Sequence, residues 1–328
     1  MSSMSPPQLP RELAEADNLP TPPGVALEVI RLADDPHVEA EDIGRLIRTD
    51  PALTVRMLRA VNSAAYGLPQ SIDSVPRACA LLGLQKTKTL ALGFAVADSL
   101  PVVDASSGLD LNEYWLRSAL TASAAELMAE RVHRDSADVA YVVGLLSELG
   151  RLVLASCLTS TYKTVLTEAP WPSTRLERER LGFANTDVTA ALLASWNLPD
   201  EIVLPITHRD HPEHLPGDSS PDVIRLCRIL AASSILATEW SAGENGRGLS
   251  WAGDAASHYL KMSPDVFAGV VENLRARVED MSLFVDASPP GQVDSRRMAT
   301  EASDRLKESL ARSRSESRLT QLLRGAEV

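Results

Sequence analysis

Residues 50–67 read DPALTVRMLRAVNSAAYG, and the reading of this stretch decides the fold. Asp50 has the side chain of an N-cap, and Pro51 suits the first helical turn, where a missing N–H leaves nothing unpaired. Leu53, Met57, Leu58 and Val61 recur at helical spacing, which predicts one buried face with Arg56 and Arg59 near its border. Asn62, Ser63, Ala64, Ala65, Tyr66 and Gly67 follow. They put hydrogen-bonding side chains where a helix runs out of internal partners for its last carbonyls, with Gly67 as the natural stop. The simplest reading is a capped helix whose Asn and Ser satisfy local backbone groups; the other is a binding surface.

The same periodicity extends on both sides. Upstream, apolar residues at helical spacing predict short helices over 25–35 and 38–48. Downstream, Ser74 opens a helix that stops at Gly83, and 84–100 reads as a longer one. A soft segment at 101–110 marks a seam between two helical lobes. Beyond it, 114–132 is a long helix, and Ser136 begins one that carries Val139, Val142, Leu146, Leu149 and Val153, apolar nearly all round and therefore central. Shorter helices follow to 207, then the polar loop HRDHPEHLPGDSSPD from His208, then helices over 223–240 and from Ser263. No strand pattern of any length occurs. The expected fold is an all-α, multi-helix bundle of two lobes: a flexible arm over 1–18, a domain over 19–286 divided into 19–103 and 104–286, and a linker with a polar, partly helical tail over 287–328.

Composition narrows the function. A chain of 328 residues with 45% hydrophobic content can bury a real core. Only 4% of its residues are aromatic, so there are few rings on which bases could stack, and a formal charge of −12 argues against a general grip on phosphate backbones. The three cysteines, Cys79, Cys157 and Cys227, are far apart in apolar surroundings and suggest reduced thiols rather than disulfides or a zinc motif. With no secretory signal and no apolar run long enough to span a bilayer, the expected location is the cytoplasm.

The runs DPALT, RMLRAVNSAAYG and, at 71–83, SIDSVPRACALLG resemble the opening signature of the HDOD family, the bacterial HD-related output domain. YWLRSA at 114–119, GLLSELGRLVL at 144–154 and SWNLPDEI at 195–202 continue the resemblance. It implies an HD-phosphohydrolase-like second lobe and a candidate signature surface of Asp50, Pro51, Arg56, Arg59, Asn62, Ser63 and Tyr66. Phosphohydrolases of that kind hold divalent metal with His and Asp side chains from separate helices, so that the metal polarises phosphate and makes water nucleophilic. Where the His-Asp pair belongs, this chain reads Ser147 and Glu148, followed by Leu149, Gly150 and Arg151. Arg117 stands where relatives often carry a histidine, Asn185 near another, and His208 near a later one. One or two surviving ligands cannot enclose a catalytic dication, so neither metal nor cofactor is expected.

Three functions follow from these readings. The leading one is a non-catalytic bacterial signalling module, in a pathway such as cyclic di-GMP signalling, acting through a protein partner or a small anionic ligand. Arg117 and Arg151 could supply positive charge for that ligand, unless each simply pairs with a neighbouring carboxylate. The second is a divergent phosphodiesterase, acting on a cyclic dinucleotide or other nucleotide with a site rebuilt from Glu148, Asp187, His208 and Asp210. The third is a DNA-binding regulator using Gln85, Lys86, Thr87 and Lys88, which otherwise form a solvated first turn. His208, His211 and His214 are spaced for one helix face, but Pro212 and Pro216 disfavour that helix and leave a solvated loop.

Overall fold

In the computed structural model the described residues are 8–14, 16, 19, 20, 24–33, 37–62, 71–84, 86–88, 90, 91, 103, 105–242 and 249–278. Among them every regular element is helical and none is a strand. The expected 287–328 tail, Ser63 and Tyr66 lie outside the described residues, as do Gln85 and most of the predicted helix end before 100.

The first lobe holds α2 (Gly24–Ala33), α3 (Ala40–Ile47), α4 (Pro51–Val61) and α5 (Val75–Leu82). In α4 the Asp50 carboxylate accepts the Leu53 amide at 3.1 Å and Pro51 takes the first turn, as the residues predict. Leu53, Met57 and Val61 are wholly buried, while Arg56 sits half-buried at the border. Helices α3 and α5 cross at backbone distance, because a Cβ on Gly44 would lie 2.6 Å from the Pro76 Cα. Helix α4 is capped at Asn62, and Gly67, its expected stop, lies outside the described residues.

A one-turn helix α1 (Arg11–Ala14) lies in the expected N-terminal arm, and its Leu13 is fully buried in the core of the second lobe. That lobe is built round α6 (Leu111–Val132), which is enclosed on all sides from Tyr114 to Ala129. Its run of Ala, Ser and Thr lets neighbours close in: a Cβ on Gly144 would meet the Ala122 Cα at 2.7 Å. The remaining helices are α7 (Ala137–Leu146), α8 (Leu149–Cys157), α9 (Thr159–Glu168), α10 (Thr174–Leu181), α11 (Asn185–Ser195), α12 (Asp200–Thr207), α13 (Pro221–Ala242), α14 (Ser250–Leu260) and α15 (Pro264–Val278). The last three share one core with α6.

Two differences from the expectation matter. The apolar helix predicted from Ser136 is two helices, α7 and α8, separated by a turn at Ser147 and Glu148. Ser147 Oγ bonds back to the Gly144 carbonyl at 2.8 Å, and Glu148 leaves helical geometry at φ −106°, ψ 8°. Taken together, 134–157 is also long and apolar enough to cross a membrane, contrary to the expectation of no such run, but 89% of its most apolar window is buried inside the protein. Helix α14, SWAGDAASHYL, had no apolar stripe to announce it; small residues fill its buried side.

Candidate functional site

The turn between α7 and α8 places Glu148 at the bottom of the second lobe's polar interior, and one turn of α8 brings Arg151 to the same point. Both are buried, at 7% and 2% exposure. Arg151 Nε donates to Glu148 Oε2 at 2.6 Å, Nη1 to Glu177 Oε1 at 2.8 Å and to the Tyr162 hydroxyl at 3.2 Å, and Nη2 to the Pro172 carbonyl at 2.9 Å. The face of the guanidinium lies 4.3 Å from the centre of the Trp171 ring. Donors and face alike are taken up by protein groups.

Glu177, wholly buried on α10, is equally saturated. It accepts from Arg151, from the Tyr162 hydroxyl at 2.8 Å, and from both the backbone N–H and the side-chain amide of Asn185 at 2.7 Å. Glu148 accepts a second arginine, Arg209, through Nη1; the same atom reaches the Ser147 carbonyl at 3.4 Å. Arg209 Nε bonds to Asp210, whose other oxygen accepts the Thr174 hydroxyl at 2.6 Å. Gly150 is required here: its N–H donates to Thr189 at 2.8 Å, and a Cβ would lie 2.0 Å from the Asn185 carbonyl oxygen. Helices α8 and α11 therefore meet backbone to backbone.

The electrostatics follow from these pairings. Burial opposes charge on every member. For Glu148 the two guanidinium groups overcome it and hold the carboxyl below its ordinary value. For Arg151 Glu148, Tyr162 and Glu177 overcome it in the other direction, and Glu148 with Asp210 does so for Arg209. Burial also pushes the Tyr162 hydroxyl up. The network is thus a set of ionised partners, each stabilised only by the others.

The structure therefore brings together Ser147, Glu148, Arg151 and Asn185 of the expected cleft and sets Arg117 beside them on Trp171, 4.6 Å from its ring centre. His208 takes no part. It caps α12, its carbonyl accepts the Cys227 thiol at 3.4 Å, and its Nε2 is shielded without a partner. Arg151 and Arg117 each pair with a carboxylate, Glu148 with Glu177 for the first and Glu113 for the second. Sequence reasoning missed Glu113, Tyr162, Trp171, Glu177 and Arg209. TRLERERL looks like a charged surface helix, and only the burial of Glu177 distinguishes it from Glu179 or Arg175.

The alternative sites fare differently. Of the four groups proposed for a rebuilt metal site, Glu148 and Asp210 are held by arginine, and Asp187 is gripped by Arg178 at 2.9 and 3.2 Å while bonding to the Ala184 amide. Among the described residues no three His, Cys, Asp or Glu side chains come together in a way that could hold a metal ion. The three guanidinium groups are paired with Glu113, Glu148, Glu177 and Asp210. His211 and His214 stack their rings 5.1 Å apart, with His211 bonded to Glu213. Nor are Lys86, Thr87 and Lys88 a solvated turn. Thr87 and Lys88 are buried, and Lys86 reaches across to Glu126 at 2.8 Å and Asp138 at 3.3 Å, over the Tyr141 ring. Lys86 thus binds the two lobes to each other, and the buried Thr87 and Lys88 are not presented to a DNA groove. On the signature surface, Asn62 is a clamp: its Nδ2 donates to the carbonyls of Leu58 (2.8 Å) and Ile72 (2.7 Å), and its Oδ1 accepts the Ile72 amide at 2.7 Å.

The family model for the HDOD domain matches residues 19–212, more than half of the chain and every residue of the network. The chain belongs to the HDOD family. An uncharacterized protein of Treponema pallidum (strain Nichols) is 28% identical to this HDOD protein over 214 residues, 62% of this chain and 40% of the relative, so the chain spans less than half of that relative's length. Among solved structures, a protein of Shewanella amazonensis provisionally named a phosphohydrolase has a TM-score of 0.64 at 23% identity, covering 89% of this chain and 97% of its own. A protein of Marinobacter aquaeolei provisionally named a signal transduction protein has a TM-score of 0.62 at 23% identity, over 81% and 60% of the two chains. At that identity these two relatives speak for the fold alone.

Proposed function

We propose that this HDOD protein is a non-catalytic signalling module that works by binding, in the cytoplasm, a partner of a bacterial pathway such as cyclic di-GMP signalling. The observation that carries the reading is Arg151: a fixed cation, with all its donors used inside the protein, stands beside Glu148 where the family resemblance would put metal ligands. Replacing a histidine and an aspartate with a serine and an arginine-bound glutamate removes the donors a dication needs and adds charge that repels it. Family membership supports the signalling role, the name of the Marinobacter relative agrees with it, and three free thiols suit a reducing compartment.

The test is metal content of the full chain after exposure to manganese, iron, zinc and magnesium, followed by dialysis, with phosphodiester hydrolysis assayed under each ion. The expected result is no retained metal and no turnover. Near-stoichiometric metal together with hydrolysis that Glu148→Gln abolishes would replace this reading with the phosphodiesterase.

A further inference from the structure

Three arginines surround the polar interior of the second lobe, and they are not equivalent. Arg151 makes four hydrogen bonds to protein groups and Arg209 three, each with a buried carboxylate among its partners. Arg117, on α6, makes a single hydrogen bond, from Nε to Glu113 Oε1 at 2.6 Å, although its side chain is only 10% exposed. Its Nη1 is shut off from water and meets no hydrogen-bond partner among the described residues. The Trp171 ring covers the guanidinium face, 4.6 Å from Cζ, and stacks on Arg151 as well.

A guanidinium has a face and a fork of edges, and the two bind different things. The face takes an aromatic ring; the edge defined by two terminal nitrogens takes two oxygens of one planar or tetrahedral anion. Here the face and the Nε are taken, while the edge that includes Nη1 is left unused. Leaving a buried charged donor unpaired is costly, so a protein keeps one where something else completes it. Burial lowers the pKa of Arg117 despite Glu113, whereas both other arginines are raised by their partners, so Arg117 is the member of the three whose charge is under-compensated.

We propose that Arg117, stacked on Trp171, is the binding site of a small oxyanion, a phosphate or carboxylate group, which pairs with the guanidinium edge that Glu113 leaves unpaired when the side chains covering Nη1 move aside. This deepens the proposed signalling role, on which it rests, by naming the ligand chemistry that would be sensed. Glu113, one turn earlier and partly exposed, is a resident carboxylate on the same guanidinium and competes with the ligand. Trp171 lies between Pro170 and Pro172, whose carbonyl is held by Arg151, so an anion that shifts Arg117 is felt by the ring and by the buried network together. The formal charge of −12 opposes the approach of anions at low salt but is screened beyond about 8–10 Å at physiological ionic strength, leaving the local fork to decide binding.

The experiment is calorimetric titration of the full chain, freed of metal beforehand on a chelating resin and held in buffer without chloride or carboxylate, using inorganic phosphate and acetate as probes, with tryptophan fluorescence read in parallel. Wild type should bind one anion per chain and change its fluorescence; whichever probe binds more tightly assigns the ligand as phosphate or carboxylate. Arg117→Lys, which keeps the charge and loses the fork, should weaken binding about tenfold or more, the size of one lost charge-assisted hydrogen bond. Glu113→Gln should tighten it, and Trp171→Phe should bind while losing most of the fluorescence change. No saturable binding of either probe to wild type and Glu113→Gln, or full affinity in a folded Arg117→Lys, overturns the site; should Arg117→Lys not fold, unchanged affinity in Glu113→Gln does so instead. Removing metal beforehand keeps this outcome separate from that of the metal test, since anion binding can fail while the protein still holds no metal.

Discussion

Arg151 is the residue on which the second lobe's polar interior depends. Its hydrogen bonds reach Glu148 ahead of α8, Tyr162 on α9, the loop at Pro172 and Glu177 on α10, and Glu177 passes the connection to Asn185 on α11. One guanidinium thus cross-links segments that a dication would otherwise be asked to gather. Removing it leaves Glu177 buried without its cation and Glu148 with Arg209 alone, which costs about 3–5 kcal/mol for a broken buried pair. Arg151→Met should therefore shift the urea midpoint strongly, and Arg151→Lys should recover little, because a point charge cannot reproduce the fork. If Arg151→Met unfolds at the wild-type midpoint, the network contributes nothing to stability.

At the scale of elements, close backbone approach and side-chain clamps set the geometry. Helices α8 and α11 touch where Gly150 faces Asn185, and a Cβ there would overlap the carbonyl oxygen. Gly150→Ala must push the two helices apart, costing about 1–3 kcal/mol or more, and thermal denaturation should show it even though alanine is the better helix former. In the first lobe Asn62 ties the end of α4 to Ile72, ten residues on. Asn62→Ala should speed exchange of the Ile72 amide by about five- to a hundredfold, the loss of about 1–3 kcal/mol of local protection, while amides in the middle of α4 are spared. That helix, with its Asp50 cap, was legible in the sequence because capping and apolar spacing are local. The break between α7 and α8 was not, since the apolar pattern runs straight through Ser147 and Glu148 and nothing local signals a turn.

At the scale of the whole molecule, two cores are held together by polar contacts at Lys86. Lys86→Glu would set three carboxylates against one another at Glu126 and Asp138, and its destabilisation relative to Lys86→Met should shrink as salt is raised. Acid acts on the second lobe. Burial raises the carboxyls of Glu148 and Asp210, but the arginines more than reverse it, and both stay below their ordinary values of 4.5 and 3.8. The unfolded chain therefore binds these protons first: the stabilisation is whole above those values and is lost as pH falls through and beneath them. Urea midpoints measured from pH 7 to pH 3 should drop on the acid side, and the drop should be shallower in Glu148→Gln.

The sequence by itself determined an all-helical chain, the start and buried face of α4, the family, and the missing histidine of the His-Asp pair, because each is a matter of residue type and short spacing. Only the tertiary structure decided what took the vacated position. Arg151 finds Glu177 across 26 residues and Arg209 finds Glu148 across 61. A buried ion pair is stable only where folding removes water from both partners at once, and no periodicity in either helix records which distant charge will be waiting.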